Sequence, residues 1–497
     1  MIIEGILAVI TSPVCLMLIA LGVIVGIIFG SIPGLSATMA VVLFLPMSFG
    51  MDPINGISLL IGLYIGGISG GLISAILLKI PGTPSSIATV FDGGPMAERG
   101  EAGKALGAGI LYSFLGGLLS IVALIFISPY LAKFALKFTP VEYFSIALFS
   151  LTIIASLSGD SMVNGLLSGL FGITAALIGI APLDGFKRFT FGLSQLGSGL
   201  LIVTVLIGLF AICDIFEFSF KRKEDEIGEI IDYSVKGFGV SIKEFKEQFV
   251  NFIRSSLIGL WIGILPGVGG STSSLLAYSA AKNASKHPEK FGTGIVDGIV
   301  ASESSNNAMT GGSLIPLLTL GIPGNTVTAM LLGGLMIHGI SPGPLIFVKS
   351  GKIMYAIFTA LIVGNIAMLV LEYWGIKYFV KLMDIPKATL FPIITVLCAV
   401  GAFASNSRVF DVYAILIFGL IGFLFNKASI PKTPFIIGFI LGPIAEVNLR
   451  RALMASEGSL LPFITRPISA VFVALTVLSI VMTVRKKLNE KKFAVNV

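Results

Sequence analysis

A Pro-Gly signature occurs twice, in the same order, in the two halves of this chain. The first half carries Gly30-Ser31-Ile32-Pro33-Gly34 and then Leu78-Lys79-Ile80-Pro81-Gly82-Thr83. The second carries Gly263-Ile264-Leu265-Pro266-Gly267 and then Leu320-Gly321-Ile322-Pro323-Gly324-Asn325. Proline lacks an amide hydrogen and clashes with the preceding turn, and glycine admits backbone angles closed to other residues. Each signature therefore ends one helix and lets another begin. Broken helices at corresponding places in two repeats point to a binding site near the membrane midplane, as in secondary transporters.

The membrane setting follows from composition. Of 497 residues, 55% are hydrophobic and 12% charged. Charge-poor runs such as Ile57 to Leu78, Leu200 to Phe216, Met354 to Leu371 and Ile468 to Val484 approach or reach the length of a bilayer crossing. About 20 apolar residues span the hydrocarbon, which predicts roughly ten to fourteen passages. The runs are continuous rather than alternating and rich in Gly, Leu and Ile, as in packed membrane helices and unlike barrel strands. The net charge of +7 sits in short loops and in the tail Arg485-Lys486-Lys487, Lys491 and Lys492, so it is no nucleic-acid signal. A basic cluster beside a final span predicts a cytoplasmic C-terminus. Glu4 and the lack of a basic n-region predict that the first segment is a retained span and not a cleaved signal peptide. Cys15, Cys213 and Cys398 lie far apart in apolar segments, which predicts small buried side chains with no disulfide or metal role.

Residues 217–254 form the longest polar stretch, a linker with an amphipathic helix that Lys221-Arg222-Lys223 places on the cytoplasmic side. It separates an N-terminal repeat, 1–216, from a C-terminal repeat, 255–497. Between them Gly30 aligns with Gly263, Pro33 with Pro266, Thr38 with Ser271, Gly70 with Gly312, Leu72 with Leu314 and Pro81 with Pro323. The extra length of the second half is expected in the loop from Lys282 to Pro288. An outside N-terminus and an inside linker need an odd number of crossings in the first half, so the repeats are expected to be inverted.

Each break is followed by short polar side chains: Ser36 and Thr38; Thr83, Ser85 and Ser86; Ser271 to Ser274; Asn325, Thr326 and Thr328. Such residues cap helix N-termini, whose free N–H groups and dipole attract carboxylates. One break alone would read as a packing kink. Two matched pairs predict a substrate site built from Pro33, Gly34, Ser36, Thr38, Lys79, Pro81, Gly82, Thr83, Ser85, Pro266, Gly267, Gly269, Ser271, Pro323, Gly324, Asn325 and Thr326. A polar island, Ser302-Glu303-Ser304-Ser305-Asn306-Asn307, interrupts apolar sequence and has no counterpart in the first half, where Tyr64 and Ile65 align with Asn306 and Asn307. Amide carbonyls suit a hard cation and Glu303 could neutralise one, so Glu303, Ser305, Asn306 and Asn307 are expected at an ion site. The alternative is an exposed loop. Lys79 either offers its charge to a carboxylate or snorkels to the surface. Asp92 and Asp160 are expected as caps, and Asp297 as a cap or a cavity residue.

Two other function classes compete. Oriented carbonyls around glycine-rich breaks could line a channel. Gly67-Ile68-Ser69-Gly70 matches the G-x-S-G of intramembrane serine proteases, with His338 as the available partner because His287 lies in a charged loop. Among 59 glycines so short a motif specifies little. No Walker loop is present in the sequence, which argues against ATP-driven transport, and the chain is expected not to be an enzyme.

The run Gly30 to Leu35, then Gly66 to Thr83, Asp92-Gly93-Gly94-Pro95-Met96-Ala97 and Gly103-Lys104-Ala105-Leu106-Gly107 resembles the large membrane subunit of the tripartite tricarboxylate transporters. So do Leu265 to Gly269, Glu303 to Ala308, Leu320 to Asn325, Asn448-Leu449-Arg450-Arg451 and Arg466-Pro467-Ile468. The sequence departs from the family pattern at Lys79, often Asn, and at Ser302, often Pro. The resemblance implies an all-α polytopic inner-membrane protein that takes up citrate-like or other organic carboxylates, driven by Na⁺ or H⁺ and with no other cofactor. It implies two partners, a small membrane subunit and a periplasmic or lipid-anchored solute-binding protein. An elevator motion of two helical hairpins follows by analogy with other binding-protein-dependent carriers.

Overall fold

The computed structural model describes residues 1–157, 162–220, 239–382 and 387–495. Asp160 and the charged Lys221-Arg222-Lys223 run lie outside them, as do the side chains of the C-terminal basic cluster. The described chain is helical almost throughout, because lipid offers the backbone no hydrogen-bond partner and each amide must be satisfied within its own helix.

The first half opens with α1 (Ile2–Ile10) and α2 (Pro13–Ser31), then α3 (Ala37–Ser48), α4 (Pro53–Ser69), α5 (Gly71–Leu77), α6 (Ile87–Glu98) and the long α7 (Ala102–Ala135). There follow α8 (Pro140–Leu157), α9 (Met162–Ala176), a hairpin of β1 (Gly179–Ile180) and β2 (Lys187–Arg188), and α10 (Ile202–Leu206) joined by a π-helical turn to α11 (Cys213–Phe220). The second half runs through α12 (Ile242–Ile264), α13 (Gly269–Ala284), α14 (Val296–Leu320), α15 (Thr326–Ile337), α16 (Ile346–Lys349) and α17 (Gly351–Leu382). It closes with α18 (Lys387–Asn406), α19 (Val409–Lys427), α20 (Lys432–Ala455), α21 (Pro462–Thr465) and α22 (Pro467–Val495). Among the described residues seven helical segments are long and apolar enough to cross a membrane, and five shorter apolar helices accompany them. α12 runs as one continuous helix across residue 254, from the polar stretch into the second half.

Close glycine contacts build the interior. In α2, a Cβ on Gly26 would lie 2.6 Å from the Leu63 carbonyl of α4, and one on Gly30 would lie 2.5 Å from the Gly67 carbonyl. In α12, the aligned Gly259 and Gly263 meet the Ser305 and Met309 carbonyls of α14 at 2.2 and 2.7 Å in the same way. Only residues without a side chain let these backbones approach so closely. α7 lies along α14 in the same direction, with Gly116 against Ser304 and Ser120 against Gly311. α4 and α14 cross in opposite directions: Tyr64 hydrogen-bonds Ser313, and Ile68 accepts from Asn306. The remaining helices exchange partners between halves. α20 packs on α8 and α9, and α19 packs on the π turn between α10 and α11.

Candidate functional site

The four breaks adopt related but unequal geometries. At the first, Gly34 takes φ 88° and the Ser36 hydroxyl caps α3 by accepting from the Met39 amide. At the second, Thr83 and Ser86 cap each other's ends of a short 3₁₀ turn leading into α6. Gly82 is pressed against the Gly30 carbonyl, where a Cβ would sit 2.2 Å away, so the two first-half breaks touch. The second-half breaks touch through a hydrogen bond from the Gly267 amide to the Gly324 carbonyl (2.7 Å). At the fourth, Asn325 and Thr328 form a reciprocal cap on α15. The third differs from expectation. α13 begins at Gly269, before Ser271 and the hydroxyls that follow it, and carries no side-chain cap. The positive φ values of Gly267 (80°) and Gly269 (76°) bring the chain directly into the helix, leaving its first amides without a side-chain cap.

All four tips line one cavity of about 580 Å³. From the first half it receives Gly34, Ser36, Thr38, Pro81, Gly82, Thr83 and Ser85; from the second, Gly267, Gly269, Ser271, Asn325 and Thr326. Thr38 and Thr326 hydroxyls approach to 3.4 Å across the junction of the halves. Pro33, Pro266, Pro323 and Gly324 are not on the cavity wall; they shape the turns that present its lining. Lys79 is also absent from the wall. It ends α5 with φ 56°, stands about half exposed, and pairs with Glu98. Of the two readings of this lysine, its position matches the surface one.

The polar island is not a loop. Ser302 to Asn307 lie within α14, enclosed by α6, α7, α12 and α13, and are buried. Glu303 is fully buried and accepts from Thr89, from Ser113 (3.0 Å) and from the Asn307 amide (3.4 Å). Ser305 is tied to the Ser273 hydroxyl of α13 at 2.6 Å. Asn306 donates to the Ile68 carbonyl at 3.5 Å, and its own Oδ1 is buried without a partner. That oxygen faces Gly270 of the cavity wall, 3.1 Å from where a Cβ would stand. A buried acceptor without a donor is costly, and next to a cavity it is a ready ligand for a cation. Asn306 itself stands just behind the wall residues Ile68 and Gly270, and Glu303, Ser305 and Asn307 are likewise not on the wall.

Asp92 caps a helix other than its own. From within α6 it accepts the amides of Gly292, Gly294 and Ile295, just ahead of α14, and the hydroxyl of Tyr278 (2.9 Å). Asp297 stands in the first turn of α14 and is not on the cavity wall. The protease pair does not assemble. Ser69 donates to Glu372 (2.9 Å), while His338 packs against Gly56, thirteen residues and about 20 Å away along α4.

The wall also holds residues that the sequence reading passed over: Ile68, Met309, Phe210, Asp214 and Thr433. Asp214 is the one charged side chain on the wall among the described residues. Its signal was available, since an acidic residue in an apolar passage is costly and marks function; the run from Leu200 to Phe216 contains it.

The tripartite tricarboxylate transporter TctA family matches residues 16–437. A 52.8 kDa Agrobacterium vitis protein, described as uncharacterized and placed in the TAR-I ttuC' 3' region, is 36% identical over 481 residues, covering 97% of this chain and 95% of that protein. A second uncharacterized A. vitis protein, from the TAR-II ttuC' 3' region, is 36% identical over 234 residues, 47% of this chain and 97% of its own length. No solved structure matches the chain.

Proposed function

Because the chain belongs to the tripartite tricarboxylate transporter TctA family, we propose that it carries an organic carboxylate of the citrate type across the inner membrane, driven by Na⁺ or H⁺. It does so with a small membrane subunit and a periplasmic or lipid-anchored solute-binding protein. The observation that carries this reading is the meeting of all four Pro-Gly tips, two from each half, around one cavity. The volume falls in the usual range for small-molecule sites.

The uncapped start of α13 supplies amides and the positive end of a helix dipole to one carboxylate of the substrate. Hydroxyls of Ser36, Thr38, Thr83, Ser85 and Ser271 and the Asn325 amide complete the cradle. The Asn306 carbonyl and backbone carbonyls of the tips hold the coupling ion, with Glu303 one helical turn behind to offset its charge. The pairing of tips and the repeated glycine contacts support two repeats. The opposed directions of α4 and α14 support an inverted relation between them. An elevator motion would move the tip hairpins against the remaining helices, and the C-terminus would lie in the cytoplasm.

The test is uptake of radiolabelled citrate into proteoliposomes holding the full chain and its partners, with an imposed Na⁺ or H⁺ gradient. Uphill, saturable accumulation is expected, and Asn306→Ala combined with Asn325→Ala should abolish it. Unchanged uptake and ion dependence in the double variant would remove the site assignment. Flux that neither saturates nor runs uphill would mean a channel.

A further inference from the structure

At the cavity wall begins an ion pair that the mechanism above leaves unused. Asp214 of α11 lines the cavity, and Lys432, the first residue of α20, reaches it from the far side. The Lys432 ammonium lies 3.4 Å from Asp214 Oδ1, 3.4 Å from Cys213 Sγ, and 5.3 Å from the centre of the Phe210 ring. Phe210 and Thr433, its neighbours in space and in sequence, both line the cavity. Both charged side chains retain some exposure, 28% for Asp214 and 15% for Lys432.

Four features argue that this pair does more than hold α11 to α20. The separation is long for a charge-assisted bond, for which about 2.7–2.9 Å is usual, so Lys432 is incompletely satisfied. An ammonium has three hydrogens to donate, and one carboxylate oxygen and a weakly accepting sulfur leave capacity for another anion. A cation in the first turn of a helix also opposes the helix dipole, so Lys432 brings no benefit to α20 itself. The π-helical turn at Ile207–Ile212, an irregularity frequent at functional sites, lies just before Asp214.

The geometry points to Lys432, just behind the wall residues Phe210, Asp214 and Thr433, as the positive charge that recognises a substrate carboxylate, with Asp214 positioning its ammonium and tempering its attraction. This rests on the carboxylate-carrier reading above and adds to it a specificity-determining residue. In the empty carrier Asp214 holds Lys432. When a carboxylate enters, the ammonium donates to both anions, and Asp214 keeps the substrate from binding too tightly to leave. A neutral isostere gains nothing from Lys432 and is rejected.

The experiment measures uptake of radiolabelled citrate, malate and succinate by the full chain reconstituted with its partners, and inhibition by each acid's neutral amide. Lys432→Met should raise KM for the transported acid at least about tenfold and erase discrimination against the amide. Lys432→Arg should preserve discrimination. Asp214→Asn should shift KM the opposite way, lowering it about two- to fivefold, with a lower kcat as release slows. A merely structural pair predicts that Lys432→Met and Asp214→Asn are impaired alike with discrimination intact, and that result would overturn the proposal. If Lys432→Met fails to fold, a raised KM or an unchanged one in Asp214→Asn overturns it equally. Wild-type protein that takes up none of the three acids fails the carboxylate reading, and this inference falls with it. Wild-type uptake with both variants behaving as the wild type removes the inference alone.

Discussion

α4 and α14 occupy aligned places in the two halves and differ in what they contain. Both are gripped by a glycine-lined partner, α2 for one and α12 for the other, through contacts between aligned residues. Yet where α14 carries Glu303, Ser305, Asn306 and Asn307, α4 carries Ile61, Leu63, Tyr64 and Ile65. The backbone packing is shared while the polar chemistry sits on one side. On the proposed function, a carrier of one substrate and one ion needs this inequality, because a symmetric lining could not tell the two ligands apart. Tyr64 completes the contrast. Its hydroxyl serves Ser313 (2.9 Å) and Asn325 (3.2 Å), so the apolar helix steadies polar side chains that belong to the second half.

The largest effect should come from attacking the shared packing. Gly26→Leu and Gly259→Leu each force a side chain into a facing carbonyl and should each lower stability by about 1–3 kcal/mol or more, read as loss of folded protein by size-exclusion chromatography and thermal unfolding. Equal damage is expected. A tolerated substitution in one half alone would break the packing parallel. Next comes the chemistry that is not shared. Glu303→Gln keeps a side chain able to hydrogen-bond with Thr89 and Ser113 but removes the charge. Uptake should lose its dependence on the driving ion at least about tenfold while folding persists, since a charge-assisted contact is worth roughly 1.5–3 kcal/mol. Ile61→Leu at the aligned position should leave ion dependence alone.

Tyr64→Phe should be milder, costing about 1 kcal/mol for its lost hydrogen bonds and weakening substrate affinity through a loosened Asn325. It would show as a raised KM with kcat nearly retained.

The smallest effect lies outside the membrane-spanning segments, where Glu244 in the first turn of α12 joins α7 through Lys104 (2.6 Å). The Lys104 ammonium and the Ser241 hydroxyl and amide hold its carboxyl down to about 2. A carboxyl lowered on folding stabilises above its unfolded value near 4.3 and loses that contribution as pH falls toward about 2. Glu244→Gln should therefore cost about 0.5 kcal/mol at pH 7, and the gap from wild type should close between about pH 4 and pH 2. A gap independent of pH would mean that the contact does not depend on charge.

What could be read from the sequence follows from how local each cause is. Proline and glycine act on their own backbone, so the four breaks were legible at residue level, and their pairing was legible because the motif repeats. The fate of the polar residues was less so. Ser302 to Asn307 look like a loop or a site until Thr89, Ser113 and Ser273 arrive from other helices to satisfy Ser302, Glu303 and Ser305, and nothing local records those partners. Ser271 follows a break as Ser36 does, yet two left-handed glycines start α13 early and leave Ser271 inside the helix. Lys79 precedes a break that lines the cavity, but the turn ending α5 sends it outward to Glu98. Asp214 and Lys432 meet only because α11 and α20, far apart in sequence, are neighbours in the fold.

The most direct measurement is an experimental structure of the full chain with a transported carboxylate and its driving ion bound. The account predicts carboxylate density against the amides at the start of α13, between the tips at Gly34, Gly82, Gly267 and Asn325, with cation density at Asn306 Oδ1. Ligand density on an outer helical face, with the space between the four tips empty, would contradict it.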